Sequence, residues 1–191
     1  MLTLSSVMLQ GLYAGAGAMR QALQNSSTAQ WLAGIADHIT IELHDATTYA
    51  TVVYTATDVP LSTTGTASIA IPASYNGTYY ITIKHRNSIE TTTATAVSFA
   101  GSTVSQSFGD PLLVFGGNLM KMTDNTYTIF GGDVNQDGDI DTTDRAFLLI
   151  DLNAAVLGYT IADLNGDGAV NTTDRGLLLA NLNAAVTRKI P

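Results

Sequence analysis

Residues 133–156 and 163–186 repeat each other without a gap, at an offset of 30 residues. The two copies share Asp133/Asp163, Asn135/Asn165, Asp137/Asp167 and Gly138/Gly168, then the run 142–145 against 172–175, then 152–156 against 182–186. An internal duplication of this quality fixes the architecture of the last third of the chain before any other reading begins. Each copy is one short unit. Leu148 and Leu152, like Leu178 and Leu182, sit at i, i+4 spacing on a helical pattern and are expected to form a shared core.

The conserved part of each copy is an oxygen-rich loop. Nine of the chain's 16 acidic residues lie between Asp133 and Asp174, and all nine are Asp. A solvated acidic face mixes in Glu, whereas Asp interleaved with Asn and Gly suits cation ligands. Asp133, Asn135, Asp137, Asp139, Asp141 and Asp144 fall at positions 1, 3, 5, 7, 9 and 12 of a twelve-residue EF-type loop. Asp163, Asn165, Asp167, Ala169, Asn171 and Asp174 repeat those positions. Position 7 supplies its main-chain carbonyl, so Asp139 and Ala169 are interchangeable there, and Gly138 and Gly168 at position 6 allow the sharp turn. Two complete copies weigh against a plain Asx-rich turn. Two Ca2+ ions are expected, with tighter binding at loop one, which offers four side-chain carboxylates against three in loop two. The empty loops are expected to be distorted by repulsion among those carboxylates.

The repeats are not sensor EF-hands. Position 12 is Asp rather than Glu, and no helix precedes either loop: residues 130–132 are Phe-Gly-Gly, and 157–162 is too short. Thr142 or Thr143 is expected to cap the first helix, and Thr172 or Thr173 the second. Ile140 and Val170, at position 8, are expected to pack loop against loop.

Two loop–helix repeats without entering helices resemble a type I dockerin. The resemblance spans residues 132–191 and implies a partner: a cohesin module of a scaffold protein, bound so as to assemble a cellulosome-like, polysaccharide-degrading complex outside the cell or at its surface. It further implies a partner-facing set of Thr142, Thr143, Leu149, Ile150 and Ala154 in the first copy. The second copy contributes Thr172, Thr173, Leu179, Ala180 and Ala184. The family often carries Lys or Arg at the later positions of this set. Here they are apolar, which points to an apolar partner surface or to packing on the neighbouring module. Close internal symmetry makes two binding orientations conceivable.

Residues 1–130 read as β. Residues 38–44, 67–71, 77–85, 95–99 and 127–130 are strand candidates, with Ile39, Ile41, Leu43, Tyr79, Ile81 and Ile83 inward and Tyr80, Thr82 and Lys84 outward. Pro60, Gly65, Gly77, Ser88 and Gly101 read as turns between them. Residues 7–13 are a possible opening strand and 18–23 a strand or short helix. The fold class is therefore an antiparallel Ig-like β-sandwich over residues 1–130, followed by a small all-α unit over 131–191. The β half resembles, in architecture alone, the X modules that precede some dockerins. The near-absence of a linker implies that the halves touch.

Other functions are disfavoured. A net charge of −8 argues against nucleic acid. The absence of Cys removes disulfides and thiolate metal sites, and no apolar run is long enough to span a membrane. The first 19 residues lack the layout of a signal peptide, as expected of the end of a longer chain. A carbohydrate-binding or adhesin β module with a calcium-stabilised anchor is the alternative function, with Trp31, Tyr13, Tyr75, Tyr79 and Tyr80 as candidate sugar platforms; core or edge roles are the simpler reading. His38, His44 and His85 are expected to be exposed strand histidines. Asp37 and Glu90 form no recognisable glycosidase pair, so no catalytic residue is assigned, and any enzyme domain is expected upstream.

Overall fold

A computed structural model describes residues 1–191. The strands are β1 (Leu2–Ser5), β2 (Tyr13–Gly15), β3 (Ala18–Met19), β4 (Leu23–Asn25), β5 (Thr28–Ala29), β6 (Ile35–Asp45) and β7 (Val52–Ser62). They continue as β8 (Ala67–Ile69), β9 (Thr78–His85), β10 (Ser88–Thr92), β11 (Val97–Ser98), β12 (Val104–Ser107), β13 (Met120–Lys121) and β14 (Tyr127–Thr128). Two helices close the chain, α1 (Thr142–Asn153) and α2 (Thr172–Asn183).

The larger sheet runs β10-β9-β6-β7, with β11 beside β9, and every pairing in it is antiparallel. The second sheet runs β12-β1-β8. In one detail it departs from an all-antiparallel sandwich: β1 is parallel to β12 and antiparallel to β8. Period-2 alternation explains how the sheets meet. Ile39, Ile41 and Leu43 of β6, Ile81 and Ile83 of β9, and Leu2 and Leu4 of β1 are all buried in one core.

The face opposite that core is not simply wet. Thr82, expected outward, is buried because the Tyr49 hydroxyl folds over it at 3.0 Å and also meets Thr92 at 2.8 Å. His44 is likewise buried, stacked on the Tyr49 ring with centroids 4.3 Å apart and held by the Tyr49 carbonyl. His85 is buried against Asp37 and Ser88. Two of the three histidines therefore correct the expectation of exposure; His38 is half-buried.

Two local expectations also change, and a third is narrowed. Pro60 lies inside β7, opposite His38, rather than at a turn. β7 is an edge strand, where a residue without an N–H costs no ladder bond. Residues 7–12 make only an isolated bridge, Leu9 to Ile129, because Ser6 at φ 55 turns the chain out of β1, and Tyr13 opens the next strand, β2. Of the two readings of residues 18–23, the strand holds at both ends, in β3 and at the start of β4, with no regular element between them.

The repeat module packs on this sandwich without a spacer. Its own apolar cluster is only six buried residues: Val134, Leu148, Ala162, Leu164, Val170 and Leu178. Ile140 and Val186 instead join the main core. So small a private core is marginal by itself, and the β module supplies the rest of the burial.

Candidate functional site

The two loops are built by a local code. Asp144 accepts from the main-chain N–H of Val134 at 2.7 Å, Asn135 at 3.1 Å and Asp141 at 2.9 Å. Asp174 accepts from Asn165 at 3.0 Å and Asn171 at 2.8 Å. Asn135 and Asn165 fold back on the N–H of Asp137 and Asp167 at 3.0 and 2.9 Å. Asp137 and Asp167 do the same to Asp139 and Ala169 at 2.9 and 3.0 Å. Each loop is thus a chain of short side-chain-to-backbone turns that gathers oxygen atoms on the inside of one bend.

Position 9 caps each helix. Asp141 and Asn171 have extended backbone and accept from Thr143 and Thr173 N–H at 2.6 and 2.7 Å. With Asp144 and Asp174 reaching back to their main-chain N–H groups they form capping boxes. This corrects the assignment of the caps to Thr142, Thr143, Thr172 or Thr173. Those threonines lie already inside the first turn and are exposed.

The expected loop-to-loop packing of Ile140 and Val170 is replaced by a crossed arrangement. Ile140 N–H donates to the Val186 carbonyl at 2.9 Å, and Val170 N–H to the Val156 carbonyl at 2.9 Å. Each loop therefore pairs with the segment that follows the other copy's helix, an approximate twofold relation.

Electrostatics mark the loops as strained without a counter-charge. Burial, together with the Asp144 and Asp137 carboxylates beside it, pushes Asp133 up to about 7. Burial pushes Asp163 up to about 6, against the pull of the neighbouring Arg86 guanidinium. Burial also raises Asp144 and Asp174. One oxygen of Asp133, Oδ1, is buried with no hydrogen-bond partner, a costly state for a carboxylate. A hard cation ligated through that oxygen removes both penalties, so the donor set fits Ca2+. No three Asp, Glu or His side chains alone converge tightly enough to hold a metal; the Asn and main-chain oxygens of the loop pattern are needed as well.

The remaining predicted residues lie along the helices. Thr142, Thr143, Ile150 and Ala154 of the first copy are exposed, as are Thr172, Thr173, Ala180 and Ala184 of the second; Leu149 and Leu179 are half-buried. Phe147, not singled out in the sequence, adds to the first face: it is 47% exposed, and Ile150 is 65% exposed. Its counterpart Leu177 packs on Gly131, and the neighbouring Asn181 is buried, donating to the Gly131 carbonyl at 2.6 Å and to Gln10 at 2.7 Å. The helical pattern carried a signal for Phe147, an aromatic three residues before Ile150, but not for its exposure.

Residues 131–183 match the family model of the dockerin type I domain. That segment is a dockerin type I domain. Dockerins of this type bind calcium. No curated protein matches the sequence. Among solved structures, the crystal structure of a C-terminal interface mutant of a type II cohesin–X–dockerin complex from Acetivibrio cellulolyticus contains a similar chain. The TM-score is 0.55 at 16% identity, over 98% of this chain and 96% of that one. An N-terminal interface mutant of a complex from the same organism gives a TM-score of 0.49 at 16% identity, over 99% and 97% of the two chains. The first likeness extends the shared fold over the whole molecule, so the β half and the dockerin together have the X-module-plus-dockerin arrangement.

The aromatic residues of the β module have internal partners. Trp31 stacks on His38 with centroids 3.7 Å apart and donates to Asp37 at 3.1 Å. Tyr13 donates to Asp124, and Tyr75 and Tyr79 meet edge-on beside Tyr54 and Phe99. None of these contacts makes a planar strip for sugar rings. No helix is long and apolar enough to cross a membrane.

Proposed function

We propose that this chain is a calcium-dependent docking unit that binds a cohesin module on an extracellular scaffold protein. Through that contact it joins its parent chain to a polysaccharide-degrading complex. The observation that carries the proposal is a dockerin whose two helices start from buried carboxylate loops and present one exposed, largely uncharged face: Thr142, Thr143, Phe147, Ile150 and Ala154. The second copy repeats it with Thr172, Thr173, Ala180 and Ala184. A face of this kind suits the flat, partly apolar surface of a protein partner, with Phe147 and Ile150 as its anchors. The dockerin itself is non-catalytic.

Two Ca2+ ions are the proposed cofactors. Asp133, Asn135, Asp137 and Asp144, with the Asp139 carbonyl and Asp141, would hold one. Asp163, Asn165, Asp167 and Asp174, with the Ala169 carbonyl and Asn171, would hold the other. Calcium supplies a charge that offsets repulsion among the carboxylates and fixes the start of each helix. The β module, proposed as residues 1–130, stiffens the dockerin, proposed as residues 131–191.

Calorimetric titration of the full chain against type I and type II cohesins, with calcium and with excess chelator, tests this. Saturable binding to either cohesin that disappears in chelator is expected. Binding to neither, or binding indifferent to chelation, refutes it.

A further inference from the structure

The two loops have near-identical sequences but unequal surroundings. Loop two is inserted into the β module. Leu23 N–H, in β4, donates to the Gly166 carbonyl at 2.9 Å. Arg86 Nη1 donates to the Asp163 carbonyl at 2.8 Å, and Asn87 Nδ2 donates to the same carbonyl at 3.0 Å and to that of Ile161 at 3.1 Å. The approach is close enough that a Cβ on Gly11 would lie 1.8 Å from the Leu164 carbonyl oxygen, and one on Gly168 2.6 Å from the Asn25 main chain. Arg86 is itself fixed on several sides. Its Nε donates to buried Asp37 at 3.2 Å, its guanidinium lies 4.4 Å from the Tyr159 ring centre, and it also donates to the Thr160 carbonyl.

Loop one has no such cradle. Gln136, Asp137 and Asp139 are exposed. Its polar contacts with the β module are few: Gly132 N–H to the Asn87 carbonyl at 2.7 Å and Gln136 to the Ser88 carbonyl at 3.3 Å. Its other main-chain partners, Val186 for Ile140 N–H, Thr187 opposite Asp139 and Arg188 N–H on the Gly138 carbonyl at 2.7 Å, belong to the segment after α2, and only the Ile140 side chain reaches the main core. Arg188 packs over Gly138, but its guanidinium pairs with Glu90 at 3.5 Å and stays 42% exposed. The first carboxylate differs in the same sense. Asp133 Oδ1 is buried and unpaired, whereas both oxygens of Asp163 accept, from Asp167 N–H at 3.1 Å and Gly168 N–H at 3.0 Å.

From this asymmetry we infer that the β module itself holds loop two in its ligand-ready shape, with Arg86 and Asn87 as positioning residues, and that loop one alone depends on calcium for its fold. The inference rests on the reading of both loops as calcium sites. It replaces the expectation that both empty loops are distorted. Arg86 supplies the counter-charge and the main-chain anchors that an ion would otherwise supply. Calcium is therefore taken up in two unlike steps: loop one couples uptake to ordering, and loop two receives the ion into a preformed cage.

Hydrogen exchange by mass spectrometry on the full chain tests this, with calcium and with excess chelator. Chelation is expected to raise exchange at least tenfold over residues 133–144 while residues 163–174 stay protected. Asn87→Ala removes one hydrogen bond to the first residue of loop two, Asp163, and one to Ile161 just before it, and no ligand. In chelator it is expected to raise exchange over 163–174 by about tenfold or more. In calcium titrations it is expected to weaken one site and leave the other unchanged. Arg86→Ala is expected to act in the same direction and more strongly; Asn87→Ala serves where the uncovered Asp37 prevents that variant from folding. Equal deprotection of both loops in the parent chain, or unchanged loop-two exchange in Asn87→Ala, overturns the inference. Absence of any calcium uptake in calorimetry sinks the reading of the loops themselves, a distinct result.

Discussion

Replacing Gly166 with Gln makes loop two match loop one at position 4 and is expected to destabilise the protein strongly. Gly166 sits at φ 69, and Gln136, its counterpart, already tolerates φ 61. Backbone conformation alone therefore costs about 1–2 kcal/mol. The surroundings decide the larger part. A Cβ at 166 lies 2.3 Å from Leu12 Cδ2 and 3.4 Å from the Ala22 Cα, inside a packed interface. Forcing a side chain into such a site costs about 1–3 kcal/mol, and displacing the loop also loses the Leu23–Gly166 hydrogen bond, about 1 kcal/mol. The sum is about 3–6 kcal/mol. The reverse change, Gln136→Gly, relieves about 1–2 kcal/mol of strain and loses two side-chain hydrogen bonds, to Ser88 and Asp133, of about 1 kcal/mol each. It should fall within about 1 kcal/mol of the parent. Urea unfolding followed by circular dichroism in saturating calcium measures both. A Gly166→Gln loss below about 1 kcal/mol, or an equal loss in Gln136→Gly, would mean that loop two is not cradled.

Three further outcomes follow from the same geometry. In chelator, where loop two keeps its shape, Asp163 at about 6 holds a proton that the unfolded chain, with carboxyls near 4, has already released. The melting temperature should then fall as pH rises from 5 to 8, and saturating calcium should abolish that fall; equal slopes in the two conditions refute the assignment. Ile150→Ala should weaken cohesin capture by about 1–2 kcal/mol, roughly 5–30-fold, yet move stability by no more than about 0.5 kcal/mol because the side chain is exposed; a surface-binding assay beside thermal melting separates the two. Leu148→Ala should cost about 2–5 kcal/mol, since Leu148 is fully buried in a cluster of only six residues; denaturant unfolding monitored in the helices would reveal it, and a loss under about 1 kcal/mol would contradict the shared core.

The duplication, the paired turn-rich loops and the two-part architecture were legible in the sequence because each is a local pattern: fixed spacing in the loops, 3.6 periodicity in α1 and α2, period 2 in β6 and β9. What escaped depends on residues far apart in the chain. Nothing near Thr82 announces that Tyr49 will fold over it, and nothing near Asp37 announces that Arg86, His85 and Tyr159 will converge on it. Although burial works against its ionised form, His85 and Arg86 hold the Asp37 carboxyl below the usual carboxylate range. Pro60 misled because a turn signal and an edge strand share the same residue. The cap falls on position 9 although hydroxyl residues follow it, because the Asp141 and Asn171 side chains reach the N–H two residues on. The asymmetry of the loops did leave one trace, Gly166 opposite Gln136, but its meaning emerges only once Leu12 and Ala22 are seen against it.

The crossing of Ile140 and Val186 into the main core has an evolutionary reading. A repeat that borrows its burial from a neighbour is not a portable cassette. Cut before Gly131, it would carry away two residues of the main core, leave Asn181 without its Gln10 partner, and uncover the glycine seams of loop two. Any recombination that moves this dockerin to a new parent chain must move the β module with it, so the heritable unit of docking here is the pair.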